Sequence, residues 1–419
     1  MDAGPGAPAG PRTWSAVGAG FTILFVCTGV NLSFGILFKS ILQEFGGDRA
    51  SLALAATASL GVNALSQPFF GVLIDRFGPR RVILPSMALM ALGTGLVCLA
   101  QSTWQVTLLY GGVAALGYTG TGILPISVHI SRWFPGQRGF VMAVAACGFS
   151  LGHLVLTQVA TYAAGAMGWR RTYALMAVLL VLFLLVSIGW LRDAPPVAAR
   201  LAPSGASTDG TASLDQRAAM GTPAFWWMTA GYIGCGFTDF LLTTHLAPFA
   251  TDLGLSLAVA ANAVSLWAAA NIAGILVAGS VADRVGSRRA LVATYLLRAT
   301  SLFFLLLVRD TWQLYLFAVL FGATFFTTAP LTSTLVGNLF GPASQGALFG
   351  TANMFHHLGG ALGSYAGGLV FDRTRSYRSI FTGGGVLVAA SAAFSMLARP
   401  SRGRRVGQED RADRGRGNG

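Results

Sequence analysis

The chain has 419 residues, of which 54% are hydrophobic and only 10% charged, with a mean hydropathy of +0.63. A soluble domain carries about 25% charged residues, so this composition excludes an ordinary soluble fold and points to a lipid bilayer as solvent. The net charge of +13 does not indicate nucleic acid: all but one of the lysine and arginine residues fall outside or at the ends of apolar runs, without an arginine stripe interleaved with aromatics, as in a membrane protein with basic loops.

A helix crosses a bilayer with about 20 apolar residues, and twelve such runs are predicted in chain order. They fall near 14–38, 50–74, 82–101, 105–130, 139–165, 172–191, 224–250, 258–282, 290–308, 312–338, 346–371 and 379–397. A Gly/Ala/Pro-rich tail, 1–13, precedes them; it lacks the basic start and small-residue cleavage site of a signal peptide, so the first span is expected to be retained. The Pro-, Ser- and Gly-rich stretch 192–223 reads as a linker on the cytoplasmic side between two six-helix bundles, 14–191 and 224–397. An arginine-rich tail, 398–419, is expected to be disordered. With both termini placed in the cytoplasm, the outer segments hold only Lys39, Arg49, Arg170, Arg171, Arg309, Arg373, Arg375 and Arg378 of the 28 basic residues. That asymmetry predicts N-in, C-in, in the cell (plasma or inner) membrane. Cys27, Cys98, Cys147 and Cys235 all lie in apolar runs with no metal or disulfide spacing, and read as small buried hydrophobes.

The two halves repeat. Gly71-Val-Leu-Ile-Asp75-Arg76-Phe-Gly78-Pro-Arg80-Arg81, after the second run, returns 208 positions later as Gly279-Ser-Val-Ala-Asp283-Arg284-Val-Gly286-Ser-Arg288-Arg289. Arg132-Trp-Phe134-Pro-Gly-Gln-Arg138-Gly139 is echoed by Asn338-Leu-Phe340-Gly-Pro-Ala-Ser-Gln-Gly346, and Trp169-Arg170-Arg-Thr-Tyr173 by Tyr377-Arg378-Ser-Ile-Phe381. The doubled pattern G-x-x-x-D-R-x-G-x-R-R resembles the signature loop of the major facilitator superfamily. That resemblance implies an all-α membrane fold of twelve transmembrane helices in two pseudo-symmetric bundles, with a midplane site between them. It also implies that the loops form a latch on the cytoplasmic side, closed in one state of an alternating-access cycle and broken in the other. Gly71 and Gly279 suit close helix approach, and Gly78 and Gly286 a turn with positive φ. Asp75 and Asp283 are placed to pair with neighbouring arginines or to face a helix start in the other half, near Gly346 or Gly139. Arg132 and Arg138 complete the expected gating set, whose other reading is a plain topology anchor.

At the same offset Asn31 falls on Asp239, and Asn63 on Asn271. Asp239 is the acid placed deepest in a run, and an acid away from water is a candidate to take up and release a proton. His245 lies about 240° around the helix from Asp239, so the two do not share a face; His356 and His357 are adjacent, so at most one points well into a pore. Asn31, Asn63, Asp239, His245, Asn271, Asn353, His356 and His357 form the candidate substrate or proton site, while no spacing fits a metal. Arg298, midway along the ninth run, is expected to snorkel or to pair between helices.

The run Asn31 to Phe45 with Lys39, together with Gly117-Tyr-Thr-Gly120-Thr-Gly122, Trp133-Phe134-Pro135, Arg138-Gly139 and Gly168-Trp169-Arg170, is similar to the monocarboxylate-porter and oxalate/formate-antiporter branch. Such porters often hold a carboxylate with a basic residue, or an Asp–Arg pair, on the eighth and eleventh spans. Here the eighth offers Asn271 and the eleventh Asn353, His356 and His357, so a permanent positive charge in the cavity is absent from the expectation. The resulting reading is a secondary transporter, not an enzyme and without a cofactor, carrying a small organic acid with protons and functioning as a monomer. The alternatives are proton-driven efflux of an amphipathic drug-like compound and, in a different class, a membrane receptor without transport.

Overall fold

The computed structural model describes residues 11–46, 49–134, 138–194 and 214–399, and among them every regular element is helical. The tail 1–10, most of the linker and 400–419 lie outside the described residues. The first run is two helices, α1 (Pro11–Leu32) and α2 (Phe34–Phe45), so it continues well past the expected end at 38. Two long helices follow, α3 (Arg49–Phe77) and α4 (Pro79–Val97). The fourth run is assembled from α5 (Thr103–Val106), a π-helical stretch (Thr107–Ala114), α6 (Ala115–Thr119) and α7 (Ile123–Trp133). α8 (Arg138–Trp190) comprises two helices that meet at a kink at Gly168, whose φ of 81° separates the fifth run from the sixth.

The second half begins with the short α9 (Gln216–Met220) and continues with α10 (Pro223–Asp252), α11 (Leu257–Val285) and α12 (Ser287–Leu305). The tenth run is again broken, into α13 (Thr311–Gly322) and α14 (Thr328–Phe340). α15 (Gln345–Thr374) and α16 (Arg378–Leu397) end the fold. Among the described residues, seven segments are long and apolar enough to cross a membrane by length and hydropathy alone. Pro223–Asp252, Ser287–Leu305 and Gln345–Thr374 are not among them. They carry Asp239, Arg298 and His356, polar groups that lower the hydropathy of a helix and lie against one another inside the protein.

Within the first half α1 and α4 pack on α8; within the second, α10 packs on α15 and α12 on α16. The halves meet chiefly where α3 lies along α15 and α11 along α8. Small residues make this seam possible. A Cβ on Gly71 would strike the backbone of Gly346 and Ala347, and one on Gly279 would meet Ala143 and the Gly139 backbone. Without side chains at these points the helices approach to backbone contact. The charged hairpins sit at the end of this seam, and their turns need φ of 87° at Gly78 and 90° at Gly286, which only glycine adopts without strain.

Gly71→Leu is expected to force α3 off α15, an overpacking cost of about 1–3 kcal/mol. The check is the thermal midpoint of the purified protein, with Gly61→Leu as control, because a Cβ at Gly61 meets open space.

Candidate functional site

Two groups of expected site residues come together. The first is the seam at the hairpin end. Asp75, on the last turn of α3, accepts hydrogen bonds from the backbone N–H of Gly346 (2.9 Å) and Ala347 (2.8 Å) at the start of α15. Asp283, on the last turn of α11, accepts from Gly139 (2.8 Å) and Phe140 (2.8 Å) at the start of α8. Each carboxylate thus meets unpaired amides and the positive dipole end of a helix from the other half. Hydrogen bonds to a charged group are worth about 1.5–3 kcal/mol each in partly buried settings.

The arginines do other work. Arg132 donates to the Ile74 carbonyl at 3.3 Å and Arg80 to the Ile188 carbonyl at 2.9 Å, while Arg76 lies over the Phe77 ring. Arg284 and Arg289 are exposed. Of Arg138 only the backbone is described, as the first residue of α8. Beside the carboxylates, buried Gln345 accepts from the Ser131 hydroxyl (2.8 Å) on α7 and donates to Ser333 on α14.

The second group lies deep in the second half and is built around Arg298 of α12, which is completely buried. Its guanidinium donates to Asp239 Oδ1 at 2.7 Å and to Cys235 Sγ at 2.9 Å on α10. It also donates to the Thr324 hydroxyl (3.1 Å), the Thr324 carbonyl and the Phe325 carbonyl (2.8 Å). Those carbonyls are free because the tenth run is unwound between Gly322 and Thr328, and an unpaired carbonyl in an apolar interior is costly. The arginine therefore closes the break while its charge is balanced by Asp239. On the other side of Asp239, Oδ2 lies 3.4 Å from His356 Nε2 and 3.4 Å from Cys235 Sγ. The His356 ring sits against Tyr232, 4.3 Å between centroids, and Tyr232 donates to Asn353 at 3.2 Å. His356 Nδ1 is buried with no hydrogen-bond partner among the described residues.

Cys235, Asp239 and His356 have the composition of a metal site, with ligand atoms within 4.8 Å of one another. A metal does not fit there. The guanidinium already lies against both the thiol and the carboxylate, and a divalent ion would have to sit beside a permanent cation.

The eighth and eleventh runs bring no arginine or lysine to this cluster; its fixed positive charge arrives from the ninth run, where Arg298 is buried against Asp239. Of the two readings of Arg298, pairing between helices holds and snorkelling does not. Cys235 is likewise more than a small hydrophobe. The signal available in the sequence was scarcity: Arg298 is the one basic residue within a span and Asp239 the deepest acid, and buried charges come in pairs.

The other candidates lie elsewhere. His245 hydrogen-bonds the Tyr377 hydroxyl (3.2 Å) and the Ser364 carbonyl (2.9 Å), away from Asp239. His357 bonds the Asn353 carbonyl one turn back on its own helix. Asn271 accepts from Ser150 across the seam at 2.6 Å and donates to the Gly322 carbonyl. Asn63 is tied to Thr119 and Gln67. Asn31, the counterpart of Asp239, is half-buried, and its carbonyl accepts from Tyr110.

Arg298→Met is expected to lower stability by about 3–5 kcal/mol, because it strands a buried carboxylate and two carbonyls. Asp239→Asn should cost less, since the amide oxygen still accepts from the guanidinium. Thermal midpoints of both single variants and the double variant check this; non-additivity of at least about 0.5 kcal/mol is expected for groups in contact.

Comparison with known proteins places this geometry in a family. The profile of the Major Facilitator Superfamily matches residues 19–261 and 229–416. The uncharacterized MFS-type transporter YcxA of Bacillus subtilis is 27% identical, covering 90% of this chain and 93% of its own. Monocarboxylate transporter 13 of Rattus norvegicus is 25% identical, covering 93% and 92%. Among solved structures, the E. coli fucose:proton symporter FucP superposes with a TM-score of 0.70 at 16% identity over 92% of this chain and 98% of its own. The proton:xylose symporter XylE does so with a TM-score of 0.73 at 14% identity over 93% and 95%. At such identities the structural likeness speaks for the fold alone, two pseudo-symmetric helical bundles. With the profile covering nearly the whole chain and the relatives aligning end to end, this protein belongs to the major facilitator superfamily of membrane transporters.

Proposed function

We propose that this transporter works by alternating access as a proton-coupled carrier of a small organic anion of the monocarboxylate kind, acting as a monomer. It crosses the membrane twelve times with both termini in the cytoplasm, so that the Asp75 and Asp283 latches close its inner mouth. The observation that carries the reading is the buried Asp239–Arg298 pair with His356 beside it. The likeness to monocarboxylate transporter 13 over most of the chain supports the substrate class.

The chemistry is one of charge balance. With Asp239 ionised the pair is neutral, and the empty carrier can rearrange without leaving a net charge in a medium that penalises it. A proton placed on Asp239, by way of the His356 imidazole, leaves the guanidinium uncompensated. A substrate carboxylate then restores neutrality, and its planar oxygens match the guanidinium fork. Proton and anion bind as a unit, and neither half-loaded form rearranges easily. Amides at the starts of α8 and α15 must release Asp283 and Asp75 for the inner mouth to open, so the latch sets which state the empty protein favours.

In proteoliposomes, acidifying the outside is expected to drive uptake of labelled lactate, pyruvate or formate. Asp239→Asn should abolish that pH-driven accumulation. Full retention of it in Asp239→Asn would rule out the coupling assignment. Resistance to amphipathic drugs on expression, with no organic-acid uptake, would favour efflux instead.

A further inference from the structure

A groove of about 330 Å³ lies between α3 and α4 in the first half, separate from the Asp239 cluster. Phe70, Leu73 and Phe77 line it from α3, and Arg81, Pro85 and Ser86 from α4. Phe70 to Phe77 is about 10 Å along a helix, so the groove runs from the charged hairpin toward the membrane interior. Leu73, Phe77, Arg81 and Pro85 are exposed, so the trough opens outward. Pro85 lacks the N–H that would bond the Arg81 carbonyl one turn back, which loosens the wall at that point.

Apart from Ser86 the lining is apolar, and its one charge stands at the hairpin end. There the Arg81 side chain has no hydrogen-bond or ion-pair partner among the described residues, while its neighbours are engaged, Arg80 with the Ile188 carbonyl and Arg76 with the Phe77 ring. An apolar trough about two helical turns long with an unpaired cation at the hairpin end is complementary to an amphiphile with one negative end. Around a protein of this fold the amphiphile at hand is the bilayer itself.

We propose that this groove holds an anionic phospholipid, one acyl chain along Phe70, Leu73 and Phe77 and the phosphate on Arg81. The repeat supplies an internal comparison. Arg289 stands at the position of Arg81, but the lining is not repeated: Ala278, Val281 and Val285 replace the two phenylalanines and Leu73, and Ala293 replaces the proline. The second half keeps the cation but not the aromatic lining or the proline. Site-specific binding therefore depends on Arg81 and not on Arg289, whereas general attraction of basic loops to an anionic surface would use both.

The test is native mass spectrometry of the purified full-length protein equilibrated with equal amounts of phosphatidylglycerol and phosphatidylcholine of the same chain length. Preferential retention of phosphatidylglycerol is expected, falling about fivefold in Arg81→Gln, the effect of one basic residue near an anionic surface, and unchanged in Arg289→Gln. A second variant, Leu73→Trp, places an indole in the trough. Its added fluorescence should be quenched more by chain-brominated phosphatidylglycerol than by brominated phosphatidylcholine, and that difference should vanish in Arg81→Gln/Leu73→Trp. Equal loss in Arg81→Gln and Arg289→Gln, retention of both lipids alike, or displacement of the lipid by excess inorganic phosphate would each overturn the proposal. None of these outcomes depends on which solute is transported.

Discussion

A guanidinium with no access to water needs its donors met and its charge balanced, and the second half of this protein is arranged around meeting that need for Arg298. Asp239 balances the charge, while Thr324 and Phe325 offer carbonyls because the tenth run gives up its helical bonding between Gly322 and Thr328. The break and the arginine explain each other. Without the arginine the free carbonyls would face an apolar interior; without the break the arginine would lack partners for one edge of its fork. The first half has the same kind of break around Gly120 to Gly122, but there the Thr121 hydroxyl reaches the Gly117 and Tyr118 carbonyls and the position of Arg298 is held by Met90. One scaffold is thus closed by a hydroxyl in one copy and by an ion pair in the other. Among the described residues, the deeply buried ion pair resides in the second bundle.

The seam between the bundles has a different physical character. Its helices touch backbone to backbone through glycines, and its strongest polar contacts are two carboxylates on helix N-termini. Such contacts form and break without a change of packing volume, since each helix end exchanges a carboxylate for water. α15 links the seam to the deep cluster: its first turn binds Asp75, and His356 follows ten residues on, about 15 Å along the axis. Movement of that helix as a rigid rod is felt at both places. On the proposed cycle, this is how protonation at depth is coupled to opening at the mouth.

The periodic repeat, the apolar runs and the glycine-flanked charged hairpins made the membrane class, the two-fold duplication and the family legible from the residues alone. These are properties of composition and local spacing, because a bilayer forces each crossing to satisfy its own backbone hydrogen bonds within one helix. The placement of Asp75 and Asp283 opposite the helix starts at Gly346 and Gly139 was also within reach, because the repeat relates each hairpin to a partner in the other half. What the sequence did not reveal was which buried polar groups meet. Asp239 and Arg298 lie 59 positions apart on different helices, and Asp239 and His356 117 apart. No spacing rule spans such separations. Likewise the unwinding of the tenth run was hidden inside an apolar stretch with no proline or charge at the break, and the exclusion of His245 from the cluster depended on how α10 turns against α15. Only packing in three dimensions decides these matters, since a buried charge is satisfied by whatever partner the fold brings within 3 Å, wherever that partner lies in the chain.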